Sequence, residues 1–516
     1  MLEARTLWEL IERRAEASPE AVMVVDESAR SLTFGDYRTQ AEQVAAGLLH
    51  LGIGEGTNVS WELPTWTESI VLVGALSRLG AVQNPLLPIY RAREVGFIAQ
   101  QTAARLLIVP GEWRGFDYKA MADEVAPSVE GMEVLVAAPD LPRADQDALP
   151  PPPANPDDPA ELAVRWLFYT SGTTADPKGV QHTDATIMAA AAGMSTVVEI
   201  DESDSSALVF PFTHIGGIVW LYASLLTGCR LVVVEAFDPS TTIPILVRED
   251  VTLAGAGTPF HMAYLAEQRK DPTTPLFPRV RAFPGGAAPK PPQLHHDIKA
   301  ELGGVGIVSG YGLTECPILS MNGVKDPDQK LADTEGRPTP GVIVRLVSID
   351  GVDVEAGQEG EIRVTGPQLF RGYVDPSLDA DAFDDHGFFR TGDLGRQDED
   401  GFLTITGRLK DIIIRKGENI SAKEIEDLLY MHPKVADVAV IGLPDPASGE
   451  RACAVVASHD PADPLSFEEM VSFLHDQQLM VQKIPEQLES IGGVPRNPSG
   501  KILKHKLREQ FAATDR

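Results

Sequence analysis

An apolar run, Trp166-Leu167-Phe168-Tyr169, leads directly into Thr170-Ser171-Gly172-Thr173-Thr174 and then Ala175-Asp176-Pro177-Lys178-Gly179. The first part reads as the end of a buried strand, the second as a loop of small hydroxyl residues and glycines closed by a lysine. Successive backbone N–H groups in such a loop can converge on an anion, and the lysine adds a mobile positive charge. The stretch asks for a fold that presents a strand end and its loop to a polyphosphate. A Ser/Thr/Gly cluster before a proline also describes an ordinary flexible loop. A kinase-type phosphate loop is excluded, because G-x-x-x-x-G-K-[ST] is required and Gly179 follows Lys178.

A chain of 516 residues is too long for one compact core and implies at least two domains. Before the loop, short β-rich runs (Ala21–Val25, Asn58–Glu62, Leu106–Val109) alternate with helical patterns (Asp36–Leu51, Thr67–Leu79). Such alternation predicts α/β layers with largely parallel strands. Gly52, Gly54 and Gly56 have the wrong spacing for a dinucleotide fingerprint and read as a helix stop and a turn. Residues 139–160 are dense in proline and aspartate and read as a surface connection.

The formal net charge of −31 opposes nucleic-acid binding and docking on an anionic membrane. Any anionic ligand must therefore meet a local concentration of cations. Lys501, Lys504, His505, Lys506 and Arg508 form one, although charge runs are commonly solvated helix faces. No segment is apolar enough to span a bilayer, and the N-terminus, with Leu7, Trp8, Leu10 and Ile11 at helical spacing, lacks the apolar core of a signal peptide. The expected location is the cytoplasm. Cys229, Cys316 and Cys453 are odd in number and scattered, which argues against a disulfide framework or a zinc site and for buried small residues.

The pattern T-S-G-T-T-x-x-P-K-G at Thr170–Gly179 resembles the signature of the adenylate-forming (AMP-binding) superfamily, which includes acyl-CoA synthetases, insect luciferases and peptide-synthetase adenylation domains. The one departure is Ala175, where glycine is usual. The resemblance implies an α/β fold, with a large N-terminal domain of layered sheets and helices (1–409) and a small mobile α+β C-terminal domain (410–516) hinged at Lys410. It implies an acid–thiol ligase using ATP, Mg2+ and coenzyme A on a small carboxylic acid, with a homodimer left open.

Further segments match in order. Phe283-Pro284-Gly285-Gly286-Ala287-Ala288 and Ser309-Gly310-Tyr311-Gly312-Leu313-Thr314-Glu315 are similar to the next two motifs. Small residues let backbone lie flat on an adenine ring, and Tyr311 can stack on its other face. Glu315 offers a hard oxygen to Mg2+ and Thr314 a hydroxyl to the α-phosphate. By the same resemblance Thr170, Ser171, Gly172, Thr173, Thr174 and Lys178 hold the phosphates, and Gly286, Ala287, Ala288 and Gly312 the base. Ser309 is shorter than the amide residue often found there, which leaves the adenine amino group without its usual reader. Asp393, in Thr391-Gly392-Asp393, suits the two ribose hydroxyls, and Arg408 can add a ribose or phosphate contact. Without the resemblance, Tyr311 reads as a core aromatic and Glu315 as a surface carboxylate.

Beyond Lys410 the pattern turns α+β. It has strands at Asp411–Ile414, Val435–Ile441 and Ala452–Ala457, and capping boxes at Ser421-x-x-Glu424 and Ser466-x-x-Glu469. Arg415, Lys416 and Gly417 lie between; Gly417 could admit the pantetheine arm and the two cations the phosphates of coenzyme A. Pro495–Ile502 resembles the closing motif and makes Lys501 the mobile catalytic lysine. His214, in Pro211-Phe212-Thr213-His214-Ile215-Gly216-Gly217, reads either as a satisfied core histidine or, by resemblance to acyl-CoA synthetases, as a wall of the carboxylate pocket. The Phe-Asp pair of amino-acid-activating domains is absent there. The expected acyl pocket, with His214, Trp220, Phe260, Gly310 and Leu313, carries no fixed charge and suits a hydrophobic monocarboxylate. Trp61–Pro64, Asn84–Arg91, Gly111–Tyr118 and Ala175-Asp176 are similar to segments of cyclohexanecarboxylate–CoA ligase-like enzymes; medium-chain and aromatic acids stay open, as does transfer to a carrier protein.

Overall fold

The computed structural model describes residues 1–137, 140–154, 156, 158, 161–170, 177–286, 290–348, 350–415, 418–445, 449–497 and 500–512. A six-stranded sheet organises the first half. Its strands are β1 (Asn58–Trp61), β2 (Val82–Pro85), β3 (Leu106–Val109), β4 (Glu133–Val136), β5 (Trp166–Thr170) and β6 (Lys178–His182), in the order β6-β5-β2-β1-β3-β4. Strands β1 to β5 pair in parallel, and β6 closes the edge as an antiparallel hairpin with β5. All four residues of β3 are buried, as a strand covered on both faces requires. The expected parallel α/β layering is therefore present.

Helix α1 (Leu7–Ala17) opens the chain, and α2 (Phe34–His50) and α3 (Thr67–Leu79) follow. Helix α2 starts two residues before its expected start, at Asp36, because the Thr33 hydroxyl caps the Asp36 N–H. It stops at the foreseen glycines, with Gly52 and Gly56 at φ 77° and 72°. The 139–160 connection is not loosely attached: a Cβ on Gly47 of α2 would lie 2.3 Å from the Pro142 carbonyl oxygen, and Ala144 N–H donates to the Gln43 carbonyl.

Val22–Val25, Ser31–Thr33, Ser205–Leu208 and Arg230–Val233 make a second, four-stranded sheet. Helices α4 (Asp184–Val198) and α5 (Ile215–Thr227) pack against each other. One buried carboxylate ties these parts. Asp184 accepts from the Leu7 N–H at 2.9 Å, the Trp166 indole N–H at 2.8 Å and the Tyr222 hydroxyl at 2.7 Å. It thus joins the first turn of α1, strand β5 and helix α5.

Helix α6 (Thr258–Gln268) leads to two further sheets. One comprises β7 (Phe283–Gly285), β8 (Ile307–Leu313), β9 (Cys316–Met321) and β10 (Arg337–Pro338). The other comprises β11 (Ile343–Val347), β12 (Gly360–Thr365), β13 (Phe389–Gln397) and β14 (Leu403–Arg408), all antiparallel. The small domain is built on β15 (Ile412–Arg415), β16 (Glu418–Ser421), β17 (Val435–Asp445), β18 (Gly449–Ser458) and β19 (Gln487–Ser490), with helices α7 (Ala422–Leu429), α8 (Phe467–Asp476) and α9 (Lys504–Phe511).

Strands β17 and β18 overrun their expected ends because they pair from Val435 with Ser458 to Asp445 with Gly449. The Ser466/Glu469 capping box is complete. The Ser421/Glu424 box is only half formed: the Glu424 carboxylate is drawn to the Lys483 ammonium at 2.6 Å, and the Ser421 hydroxyl donates to the Thr406 carbonyl of β14 at 2.6 Å. All three cysteines are free and buried, and burial pushes the Cys229 and Cys453 thiols up to about 12. Among the described residues no helix is long and apolar enough to cross a membrane.

Candidate active site

The β5–β6 hairpin pairs Thr170 with Lys178, so the phosphate-loop segment starts and ends on adjacent strands. Ser171, Gly172, Thr173 and Thr174 lie outside the described residues. Lys178 holds its ammonium 5.3 Å from the centroid of the Tyr373 ring. The Tyr373 hydroxyl in turn donates to Glu315 Oε1 at 2.8 Å. Burial raises the Glu315 carboxyl above the usual carboxylate range, opposed by the Tyr373 bond and by the charges of Lys178 and Lys501. Glu315 is therefore an interior group, not a surface carboxylate. A buried oxygen donor of this kind fits a hard cation such as Mg2+, whose charge would restore the ionised form.

The turn between β8 and β9 carries Thr314 and Glu315. His182, fully buried at the end of β6, places Nε2 2.8 Å from the Thr314 carbonyl oxygen. A carbonyl only accepts, so Nε2 carries the proton and Nδ1 faces the Thr186 hydroxyl at 2.9 Å as acceptor. Burial lowers the ring to about 4, which keeps it neutral and fit for this single donation.

Tyr311, Asp393 and Arg408 form a second group. The Tyr311 hydroxyl donates to Asp393 Oδ2 at 2.6 Å, and Arg408 Nε lies 2.6 Å from Asp393 Oδ1. Residues 393 and 408 are directly opposed in the β13–β14 pair, so the fold presents carboxylate and guanidinium as a unit. Each oxygen takes one protein donor and keeps a lone pair able to accept a further hydrogen bond. Gly286 and Gly312 are tight positions: a Cβ would lie 2.7 Å from the Gly310 carbonyl oxygen and 2.5 Å from the Ile318 nitrogen, respectively. Ala287 and Ala288 lie outside the described residues.

The small domain reaches this site through its closing loop. Asn497 and Lys501 bond to each other twice, at 2.9 Å each, and a Cβ on Gly500 (φ 85°) would meet the Pro259 ring of α6 at 3.2 Å. Lys501 keeps accessible surface, yet loss of water around its ammonium and the charges of Arg408 and Lys410 lower it to about 8, against Asp393 and Asp411. Its charge in turn acts on His214, whose ring is held near 4, chiefly by burial. His214 caps α5, with Nδ1 accepting from the Gly216 N–H at 3.1 Å, so its free proton sits on Nε2. The structure thus brings Lys501, His214, Glu315, Asp393 and Arg408 to one place from both domains.

A family model described as "AMP-binding enzyme" matches residues 11–374. The chain belongs to that family. A second model, "AMP-binding enzyme C-terminal domain", matches residues 424–501 of this AMP-binding enzyme. The enzyme is 32% identical over 513 residues to the medium-chain fatty-acid–CoA ligase of Escherichia coli (strain K12), covering 97% of this chain and 89% of the relative. It is 30% identical to the salicyl-AMP ligase / salicyl-S-ArCP synthetase of Mycobacterium tuberculosis, covering 98% and 91%. Among solved structures, ATP-bound MatB from Rhodopseudomonas palustris superposes with a TM-score of 0.86 at 26% identity, covering 98% of this chain and 99% of that one.

Other expected residues of the AMP-binding enzyme stand as follows. Trp220 packs into the main core with 7% of its surface exposed, and Phe260 into a neighbouring core edge-on to Phe237 at 4.8 Å, so the two do not share one cluster. Gly310 and Leu313 both lie on β8. Lys410 sits in the single turn Leu409–Asp411, its ammonium lowered by burial and by Arg408. Arg415 departs from expectation: its guanidinium is held inside the small domain by Glu486 and by the Gln482 carbonyl, both at 2.5 Å, rather than open to a phosphate. Lys416 and Gly417 lie outside the described residues. Sequence reading missed His182, although alternation along β6 puts it on the same face as Lys178. It also missed Tyr373, for which the sequence carries no local signal.

Proposed function

We propose that this AMP-binding enzyme is an ATP-dependent carboxylate–CoA ligase that forms acyl-CoA through an acyl-AMP intermediate. The observation that carries the reading is the seating of Lys501 beside His214 and the Asp393–Arg408 pair, in a protein whose relatives include CoA ligases. A carboxylate cannot donate its acyl group while oxide is the leaving group. Attack of one carboxylate oxygen on the α-phosphorus of ATP forms the new P–O bond, expels pyrophosphate and makes AMP the leaving group. Two unit charges about 4 Å apart interact by about 4 kcal/mol at an effective dielectric of 20. The Lys501 ammonium, placed between carboxylate and α-phosphate, therefore offsets their repulsion and aligns them.

In this reading Asp393 takes the ribose hydroxyls, Arg408 steadies ribose or phosphate, Thr314 bonds the α-phosphate and the 170–178 segment cradles the outer phosphates. Glu315, held by Tyr373, supplies the oxygen for Mg2+, whose charge would neutralise the phosphates. The neutral His214 offers its Nε2 proton to the acid. Domains 1–409 and 410–516 then turn about Lys410, withdrawing Lys501 and bringing Gly417 to the coenzyme A channel. The acid is a hydrophobic monocarboxylate, alicyclic such as cyclohexanecarboxylate or medium-chain, since, among the expected pocket residues, His214 is neutral and Leu313 carries no charge.

Transfer to a carrier protein is the second reading. It is favoured by one observation, the engagement of Arg415 within the small domain, and it predicts acyl-AMP without a coenzyme A thioester.

Three outcomes are expected. With substrate acid labelled in its carboxyl oxygens, one label should appear in released AMP, and AMP free of label would end the adenylation reading. A panel of acids scored separately for pyrophosphate release and thioester yield should peak on alicyclic or medium-chain monocarboxylates. Gly417→Leu should leave pyrophosphate release within about threefold and cut thioester yield by on the order of a hundredfold, since a side chain there fills the thiol's path. Equal loss of both steps would exclude Gly417 from the second half-reaction.

A further inference from the structure

The residue that stands where an adenine-reading amide is usual, Ser309, has its hydroxyl committed elsewhere. It donates to Glu335 Oε2. Ser309 pairs with Gly285 across β7 and β8 and lies two residues before Tyr311, hence on the same face of the pleat. A base between the Gly285-Gly286 backbone and the Tyr311 ring would have the Glu335 carboxylate at its edge.

Glu335 is held for such a role. Its N–H donates to the Leu403 carbonyl at 2.8 Å, and its carbonyl accepts from the Ser320 hydroxyl at 2.9 Å. Gly336 follows at φ 76°, and a Cβ there would lie 1.9 Å from the Met321 carbonyl carbon, so the turn admits glycine alone. The carboxylate itself is only half used. Among the described residues Oε1 has no hydrogen-bond partner, and no lysine or arginine forms an ion pair with Glu335. The Lys290 ammonium, whose charge state Glu335 influences, is spent on the Leu331 and Ala332 carbonyls.

We propose that Glu335, positioned by Ser309, is the specificity-determining residue for the base, its Oε1 accepting a hydrogen bond from the exocyclic amino group of adenine. This rests on the nucleotide-binding reading above. An ionised carboxylate only accepts, so it matches the 6-amino group and opposes the oxygen of a 6-oxo purine. A half-buried acceptor fixed at the edge of the base disfavours ligands that lack the matching donor.

The test is calorimetric binding of MgATP and of Mg-purine riboside triphosphate, which differs only by hydrogen in place of the amino group, to the wild-type protein, Glu335→Ala and Glu335→Gln. The wild type should prefer ATP by about tenfold or more, the effect of a hydrogen bond to a charged acceptor. In Glu335→Ala the preference should fall to within about threefold while the affinity for purine riboside triphosphate stays unchanged. Parallel weakening of both ligands would show a merely structural role, and an unchanged preference would overturn the assignment. Should the alanine variant fail to fold, Glu335→Gln decides. Its amide can donate to a 6-oxo group, so inosine triphosphate should bind at least tenfold more tightly (about the value of one hydrogen bond regained) than to the wild type, and no gain would overturn the proposal. If the wild type binds none of these nucleotides, the nucleotide site itself is misassigned; a normal affinity for ATP with an unaltered ratio in the variants discards the role of Glu335 alone.

Discussion

Lys501→Ala lowers pyrophosphate release by about 10²–10³-fold, the usual loss when one donor aimed at developing charge is removed. Substrate affinity should change far less, because the ammonium acts on the reacting atoms rather than on the base or the acyl chain. Unchanged pyrophosphate release in this variant would end the assignment of Lys501. The same residue sets a pH limit. With its ammonium lowered to about 8, mainly by loss of water and by Arg408 and Lys410, the charged form prevails below that pH and is lost above it. Adenylate formation should therefore fall as pH rises through about 8. Stability moves the other way. Between about 8 and the ordinary lysine value of 10.5, the unfolded chain holds the extra proton and the folded one does not. Raising the pH through that window thus relieves a penalty on the closed fold while activity declines. A pH–rate profile beside a pH–stability profile separates the two trends.

The second large effect concerns stability. Asp184→Ala removes the acceptor of three donors, the Leu7 N–H, the Trp166 indole and the Tyr222 hydroxyl, within the main core. The Leu7 N–H and the Tyr222 hydroxyl are left without their acceptor, the Trp166 indole keeps only the Tyr222 oxygen at 3.3 Å, and breaking a buried polar network of this kind costs on the order of 3–5 kcal/mol. Denaturant unfolding of the large domain should show that loss as a lower midpoint with little change in slope. Asp184→Asn should lose less, since its one oxygen can still accept from Trp166 and Tyr222 but leaves the Leu7 N–H unmet. A change below about 1 kcal/mol in the alanine variant would mean that water replaces the carboxylate.

Much of this was readable from residue order because the chemistry is local. The Tyr311–Glu315 turn and the Asp393/Arg408 pair stood out because each falls in one short stretch of distinctive residue types; their roles belong to the proposal, and Ser171–Thr174 lie outside the described residues. Helix α3 falls at its expected limits because its apolar spacing and Gly80 cap are continuous in sequence. What was not readable depends on partners far apart along the chain. Glu424 leaves its capping box for Lys483, Arg415 turns inward to Glu486, and Tyr373 reaches Glu315. Glu335 belongs to the same class: nothing near it in sequence announces Ser309, which comes to it only through the pairing of β8, β9 and β10.

The seating of Lys501 carries an implication for the order of events. The closed loop sets its ammonium close enough to Arg408 and Lys410 for the three cations to repel one another, with Asp393 and Asp411 as partial counterweights. On the proposed mechanism, bound triphosphate and carboxylate would overcompensate that crowding and latch the lid. Departure of pyrophosphate would then remove most of the latching charge, and mutual repulsion would act as a spring. Under that proposal the incoming anion would wind the clock and the outgoing one release it, before any thiol arrives.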